Sequence, residues 1–138
     1  MSPRNTTTGT VLEQMILPAL RRGGYEVHLQ VNVGKRLGGG RHIVDAVAAK
    51  QGLRWLISMK WQQVSGTAEQ KVPFEVICLA EAVLSGSCDG AYLVLGGPGW
   101  SLRDFYTGDG LRQHLSNAEK VNIVNLEEFV ASANQGRL

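Results

Sequence analysis

The chain has 138 residues, of which 43% are hydrophobic and 19% are charged, and its formal net charge is +2. This length predicts one domain with its own buried core, and the composition argues against a disordered chain. The sequence shows no signal-type leader and no apolar run of membrane-spanning length, which predicts a cytoplasmic protein in a reducing compartment with no membrane partner. The small positive charge permits a polyanionic partner without requiring one.

The first quarter of the chain is expected to form a helix followed by a strand. Apolar residues recur at helical spacing over residues 11–22, and a glycine pair beginning at Gly23 stops the pattern. Pro18 predicts a kink or an early end, and the polar residues 6–10 predict a frayed segment or a cap. Apolar residues then alternate along residues 25–33, which predicts a strand with one buried face.

Two further strands are predicted over residues 42–49 and 54–62, and the short connections make an antiparallel meander of the three. A helix is predicted from a capping box at Thr67 and Gln70 to about residue 84, with its start disturbed by Pro73. This pattern places the chain in the α/β class. The remaining predicted elements are a buried strand over residues 91–95, an interrupted helix over 101–115, a strand over 121–124 and a closing helix over 126–133.

An acidic and a basic side chain are expected to meet on the second and third strands. Asp45 interrupts apolar neighbours, and the next strand carries Ser58, Lys60 and Gln62 on one face, because strand side chains alternate. Since these strands are hairpin neighbours, Asp45 can lie opposite Ser58 or Lys60. A carboxylate can hold Mg²⁺, and a nearby lysine can position or activate a metal-bound water for phosphodiester hydrolysis. Gln62 could contact that water or a phosphate.

Asp45, a turn, and the sequence Ser58-Met59-Lys60 resemble the signature of the PD-(D/E)XK nuclease superfamily, which includes restriction enzymes, homing endonucleases and Holliday junction resolvases. The superfamily core, helix-strand-strand-strand-helix-strand, matches the predicted order over about residues 11–95. The resemblance implies a restriction endonuclease-like fold with a mixed sheet, as a single nuclease domain over residues 1–138. Residues 96–138 would form a small C-terminal extension.

The resemblance also implies roles for individual residues. Asp45 would be the metal-binding aspartate and Lys60 the catalytic lysine. Glu13, on the first helix, would be an accessory metal ligand or an orienting group. The implied cofactor is Mg²⁺, with Mn²⁺ as a substitute, and the implied partner is DNA in a prokaryotic or phage-type setting. Because one chain has one site and a duplex has two strands, a homodimer or tetramer is expected.

The sequence departs from the superfamily pattern at Ser58, where the second acid would stand. Some restriction enzymes with Ser-x-Lys supply the missing glutamate from the following helix, and Glu69 and Glu75 are the candidates here. Glu75 is favoured, because it borders the apolar stripe of that helix and its distance from Lys60 is close to the variant spacing. The choice between the two acids stays open at this point.

Basic residues surround the loop that contains three consecutive glycines. Lys35 and Arg36 precede this loop and Arg41 and His42 follow it, so it could lie against a DNA backbone. Lys71, near a helix start, could contact a phosphate. A merely solvated basic turn explains the same residues.

Three functions are compatible with these features. The first is a Mg²⁺-dependent DNA endonuclease of the homing, restriction or junction-resolving type, acting on double-stranded or branched DNA. The second is a catalytically inactive DNA-binding or assembly module of the same fold, which the missing acid at Ser58 motivates. The third is an unrelated α/β interaction protein, in which Asp45 and Lys60 would point to different places.

Overall fold

A five-stranded mixed sheet forms the centre of the computed structural model, which describes residues 6–86 and 88–138. The strands are β1 (Glu26–Lys35), β2 (Arg41–Lys50), β3 (Leu53–Trp61), β4 (Gly90–Gly96) and β5 (Val121–Asn125). They lie in sequence order across the sheet. The first three form the predicted antiparallel meander, whereas β4 and β5 add to it in parallel. The predicted α/β class with a mixed, restriction endonuclease-like sheet is therefore confirmed.

Helices cover both faces of this sheet. One face, the α3 face, buries a cluster that includes Val76 and Leu93, and the other, the α5 face, buries a cluster that includes Ile57 and Phe129. No described helix is both long and apolar enough to cross a membrane. The helical elements are α1 (Thr6–Val11), a π-helical turn (Leu12–Ile16), α2 (Leu17–Arg22), a 3-10 turn (Thr67–Lys71), α3 (Val72–Leu84), α4 (Arg103–Thr107), a second 3-10 turn (Arg112–His114) and α5 (Leu126–Asn134).

The first helical segment differs from its prediction at both ends. It begins at Thr6, inside the stretch expected to be frayed, and it continues through Pro18 to Arg22. The π-helical turn directly precedes α2, so Pro18 stands in the first turn of α2. A residue without a backbone N–H costs little at that position. The predicted early end at Pro18 is therefore wrong.

The entry to α3 also differs in detail. The predicted capping box does not form: the 3-10 turn has Gly66 as its N-cap, and no side-chain capping hydrogen bond is present there. The α-helix proper starts at Val72 with Pro73 in its first turn, so the expected disturbance by the proline is confirmed.

β1 does not keep the single buried face that its alternation predicted. Val27 packs on the α5 face, whereas Val31 and Val33 pack on the α3 face, although all three positions have the same parity. Between them, Leu29 is 42% exposed and Gln30 has a φ of 51°. A non-glycine residue in the left-handed region is uncommon inside a strand, and here it accompanies the reversal of the alternation. The far half of the β1–β2 hairpin therefore faces α3.

Residues 96–138 complete the fold rather than stand apart from it. β5 forms one edge of the sheet, and α5 packs against α2 on the α5 face. Their approach is close at Gly23, where an added Cβ would lie 1.9 Å from the carbonyl oxygen of Ala133. A side chain at Gly23 would therefore push α5 away from α2.

Candidate active site

β2 and β3 separate at the position where the predicted acid and lysine lie. Their ladder runs from Lys50↔Leu53 to Ala46↔Ile57, and beyond it, within the described residues, β2 stays paired with β1 and β3 with β4. Asp45 is the first residue of β2 past the end of this ladder. Its Oδ2 accepts a hydrogen bond of 2.7 Å from the backbone N–H of Met59. A side-chain carboxylate thus satisfies a β3 amide where the two strands part.

Glu75 of α3 reaches the same part of β3 from the α3 face. Its side chain is buried, and its Oε1 accepts a hydrogen bond of 3.3 Å from Oγ of Ser58. Asp45 and Glu75 therefore contact two consecutive residues of β3, Met59 and Ser58. The structure places Glu75, rather than Glu69, beside Ser58, where the superfamily pattern has an acid.

Three cationic or ionisable side chains surround the Glu75 carboxylate. Nη1 of Arg36 lies 3.0 Å from Oε2, and Nε2 of His42 lies 3.4 Å from Oε1. Burial raises the pKa of Glu75, but the charges of Lys60, Arg36 and His42, with the hydrogen bond from His42, outweigh it and hold the pKa below its ordinary value. Glu75 is therefore an anion at neutral pH, although its side chain is buried.

Lys60 and Asp45 share one end of the sheet, as expected. Lys60 is partly buried on β3 and pairs in register with Leu95 of β4. Its neighbours Met59 and Trp61 pack on the α5 face, so strand alternation directs Lys60 toward the α3 face. Ser58 has the same parity as Lys60 and donates to Glu75 on that face, so the expectation that the two residues share a face is met.

Gln62 and Glu69 lie in a different environment, next to the loop that follows β4. The amide nitrogen of Gln62 donates to Glu69 Oε1 at 3.0 Å and to the carbonyl oxygen of Gly99 at 2.8 Å. Glu69 also accepts hydrogen bonds from the N–H and hydroxyl of Ser101 and from the N–H of Leu102. Both side chains are buried and fix this loop against the start of α3.

Glu13 is exposed in the π-helical turn, on a helix that packs against the α5 face. Among the described contacts, none joins Glu13 to Asp45, Lys60 or Glu75. The accessory role of Glu13 therefore stays a prediction.

The basic residues of the β1–β2 hairpin divide into two groups. Lys35 and Arg41 are exposed, as is Lys71 at the entry to α3. Arg36 instead turns inward to Glu75, and His42 is only 1% exposed and faces the same carboxylate. His42 is thus not accessible to a phosphate in this arrangement.

The participation of Arg36 and His42 in the acidic cluster was missed by the sequence interpretation. A weak signal was present, because His42 has the same strand parity as the apolar Val44 and so could have been expected to be buried. The inward direction of Arg36 had no such signal, since it comes after two irregularities of β1, at Gln30 and between Asn32 and Lys35.

In the described part of the chain, no three histidine, cysteine, aspartate or glutamate side chains converge into a group that could hold a metal ion. Asp45 and Glu75 are carboxylates whose hydrogen bonds place them against Met59 and Ser58 of β3. Mg²⁺ is usually bound by one or two carboxylates while it keeps several waters, and it rarely takes all of its ligands from the protein.

Comparison with known proteins identifies the family and the fold of the chain. A crystal structure described as that of the protein of unknown function AF1548 is similar in fold, with a TM-score of 0.52 and 13% identity over 80% of this chain and 54% of that one. This chain thus spans about half the length of that protein. No curated protein matches the sequence. The family model of the PD-(D/E)XK nuclease superfamily domain matches residues 4–137, nearly the whole chain. The chain therefore belongs to the PD-(D/E)XK nuclease superfamily.

Proposed function

We propose that the chain is a Mg²⁺-dependent endonuclease that hydrolyses phosphodiester bonds in double-stranded or branched DNA. The observation that carries this proposal is the convergence of Asp45, Glu75 and Lys60 on one short stretch of β3, where β2 and β3 part. Carboxylates that can hold a metal ion, together with a cation that can offset charge on the phosphate, suit metal-assisted phosphodiester hydrolysis.

Asp45 and Glu75 are the residues that would hold the metal, with Mn²⁺ able to replace Mg²⁺. Their oxygen donors suit a hard cation that keeps several of its waters. When bound, such a cation polarises the phosphate and lowers the pKa of a coordinated water. Arg36 competes with the cation for Glu75, because it pairs with the same carboxylate.

Lys60 would orient the attacking water and offset negative charge that develops on the phosphate. Ser58 would position Glu75, since its hydroxyl donates a hydrogen bond to that carboxylate and fixes its rotation. Glu13 is assigned the accessory role, supported by its position in a π-helical turn, a feature that often occurs at functional sites. Gln62 would act indirectly, by anchoring the loop beside the site.

DNA would lie across the hairpin and the start of α3. Lys35, Arg41 and Lys71 are exposed there and could contact phosphates, which position a duplex without reading its sequence. Because residues 6–86 and 88–138 contain one such cluster, cutting both strands would require a symmetric dimer or tetramer.

A nicking assay tests the proposal. Purified protein is mixed with supercoiled plasmid or a synthetic four-way junction, in Mg²⁺, Mn²⁺ or EDTA. Metal-dependent cutting that falls at least about 100-fold in Lys60→Ala is expected, because the lysine acts on the transition state. Lys120→Ala is the matched control, since Lys120 is exposed before β5 and should leave cutting unchanged. Equal cutting by both variants would contradict the assigned role of Lys60.

A second candidate function is a catalytically inactive DNA-binding module. It is favoured by one observation: the Glu75 carboxylate is already engaged by Arg36, His42 and Ser58. That function predicts DNA binding without cutting in any divalent metal, in the same assay.

A further inference from the structure

An open cleft of about 410 Å³ lies on the α5 face at the carboxyl ends of the parallel strands. This volume falls within the roughly 300–1,000 Å³ that is usual for ligand sites. In open α/β sheets, ligands commonly bind outside the carboxyl ends of the strands. The cleft is lined mainly by Met15, Trp61, Pro98, Arg103, Leu126 and Glu127.

Trp61 forms one wall of this cleft because two glycines leave room for its ring. A Cβ at Gly96 would lie 2.8 Å from Cε3 of Trp61, and a Cβ at Gly97 would lie 3.1 Å from its Cε2. The ring is held further by a hydrogen bond of 3.3 Å from Nε1 to Oε1 of Gln63. The indole is thus fixed in place while remaining partly exposed.

The polar lining suits a nucleotide. Arg103 donates one guanidinium hydrogen bond to the carbonyl oxygen of Gly97, while its buried Nε has no partner among the described residues. Glu127 is exposed and can accept hydrogen bonds from amino groups, and Met15 is 40% exposed beside it. A flat aromatic wall with a cation is the combination that stacks bases irrespective of sequence.

The cleft adjoins the proposed catalytic lysine. Trp61 follows Lys60 directly on β3, and the two side chains point to opposite faces at the same strand end. A DNA strand that passes round this end of the sheet would bring a phosphate to Lys60 and an adjacent base to Trp61, provided that this base is not held in a duplex.

We infer that this Trp61 cleft binds a single unpaired base of DNA, so that the substrate class is DNA with unpaired nucleotides at branches, flaps or bulges rather than continuous duplex. The inference rests on the proposed function, since it requires DNA at Lys60. A stacked base would exclude water from the indole and hold the strand in register with the cluster formed by Asp45, Lys60 and Glu75.

Binding in EDTA tests this inference without any cutting. Two DNA duplexes are compared that differ only in one bulged 2-aminopurine. Binding is measured by anisotropy, and stacking of the bulged base is measured by 2-aminopurine fluorescence. The wild-type protein is expected to bind the bulged duplex on the order of tenfold more tightly and to quench the probe by stacking. Trp61→Leu should lose both effects, whereas Trp61→Phe should keep the quenching. Trp55→Leu, at the other end of β3, is the matched control.

A second pair of variants covers the case in which Trp61→Leu does not fold. Met15→Glu places a carboxylate in the cleft and should abolish the preference for the bulge, whereas Gln14→Glu adds the same charge at an exposed neighbour and should not. Equal binding of both duplexes by the wild type, or a preference that survives in Met15→Glu, would overturn the inference alone. The inference would also be overturned if the free 2-aminopurine nucleotide bound as tightly as the bulged duplex. Absence of binding to either duplex would overturn it together with the proposed function.

Discussion

Nη1 of Arg36, in the β1–β2 hairpin, lies 3.0 Å from Oε2 of the buried Glu75 on α3. This pair joins the hairpin to the helix on the α3 face. It also brings a residue expected to contact DNA into the cluster to which we assign the chemistry.

Arg36→Gln is expected to lower the free energy of unfolding by about 1–3 kcal/mol, because the buried Glu75 would lose a charged partner. Urea unfolding followed by tryptophan fluorescence measures this change. Lys35→Gln removes the same charge from an exposed neighbour and should change stability by less than about 0.5 kcal/mol. If the two variants unfold alike, the ion pair contributes nothing measurable to stability.

Asp45 has two separable roles, which two substitutions distinguish. Asp45→Asn keeps an oxygen that can accept the Met59 N–H but removes the charge, so the fold should persist while metal-dependent cutting is lost. Asp45→Ala also removes the acceptor, so the free energy of unfolding should fall by about 1–3 kcal/mol more. Thermal melts and the nicking assay together give both quantities. Full activity in Asp45→Asn would exclude Asp45 as a metal ligand.

The position of the missing acid can be tested by moving it. Glu75→Gln is expected to reduce cutting at least about 100-fold, as removal of a metal ligand should. Because Oγ of Ser58 lies 3.3 Å from Oε1 of Glu75, a carboxylate placed at residue 58 would lie next to the position of the original one. The double variant Ser58→Asp with Glu75→Gln should recover at least about tenfold of the loss.

Ser58→Asp alone serves as the control for that pair. It would place two carboxylates side by side, and the repulsion should lower its melting temperature below that of the double variant. A double variant that is stable but no more active than Glu75→Gln would show that Glu75 has a structural role only.

Glu69 should make stability depend on pH in the acid range. Burial raises its pKa, but hydrogen bonds from Ser101, Gln62 and Leu102 outweigh this and hold the pKa below its ordinary value of 4.5. The carboxylate therefore stabilises the fold fully above that ordinary value, and the contribution is lost as pH falls through the lowered folded-state pKa.

Melting temperatures of the wild type and of Glu69→Gln, taken from about pH 3 to pH 7, measure this effect. The difference in melting temperature between the two proteins should be largest above about pH 4.5 and should become smaller below it. Ser101→Ala removes the hydroxyl donor to Glu69 and should reduce the difference in melting temperature that Glu69→Gln produces above about pH 4.5. A difference that is constant with pH would mean that the pKa of Glu69 is the same in the folded and unfolded chains.

Much of the site could be predicted because its geometry follows from local rules. Asp45 and Lys60 lie on strands joined by a short turn, so the hairpin register brings them to one end of the sheet. Glu75 borders the apolar stripe of α3 and therefore faces the sheet. These positions depend only on strand alternation and helical periodicity.

The remaining contacts depend on tertiary structure that no local pattern encodes. The inward direction of Arg36 comes after two irregularities of β1, the left-handed backbone at Gln30 and the register shift between Asn32 and Lys35, where alternation predicted a regular strand. The bonding of Glu69 to Ser101 joins residues 32 positions apart through a loop whose path periodicity cannot give. The role of Glu69 could thus not be separated from that of Glu75 before the fold was known.

The left-handed residue Gln30 has a consequence for how copies of the chain can assemble. β1 is an edge of the sheet and is ten residues long, a length at which an unpaired edge can recruit a strand from another molecule. The backbone reversal at Gln30, and a second irregularity between Asn32 and Lys35, divide this edge into short segments that face different ways. A continuous intermolecular sheet along β1 is thereby disfavoured, which protects the chain from edge-to-edge aggregation.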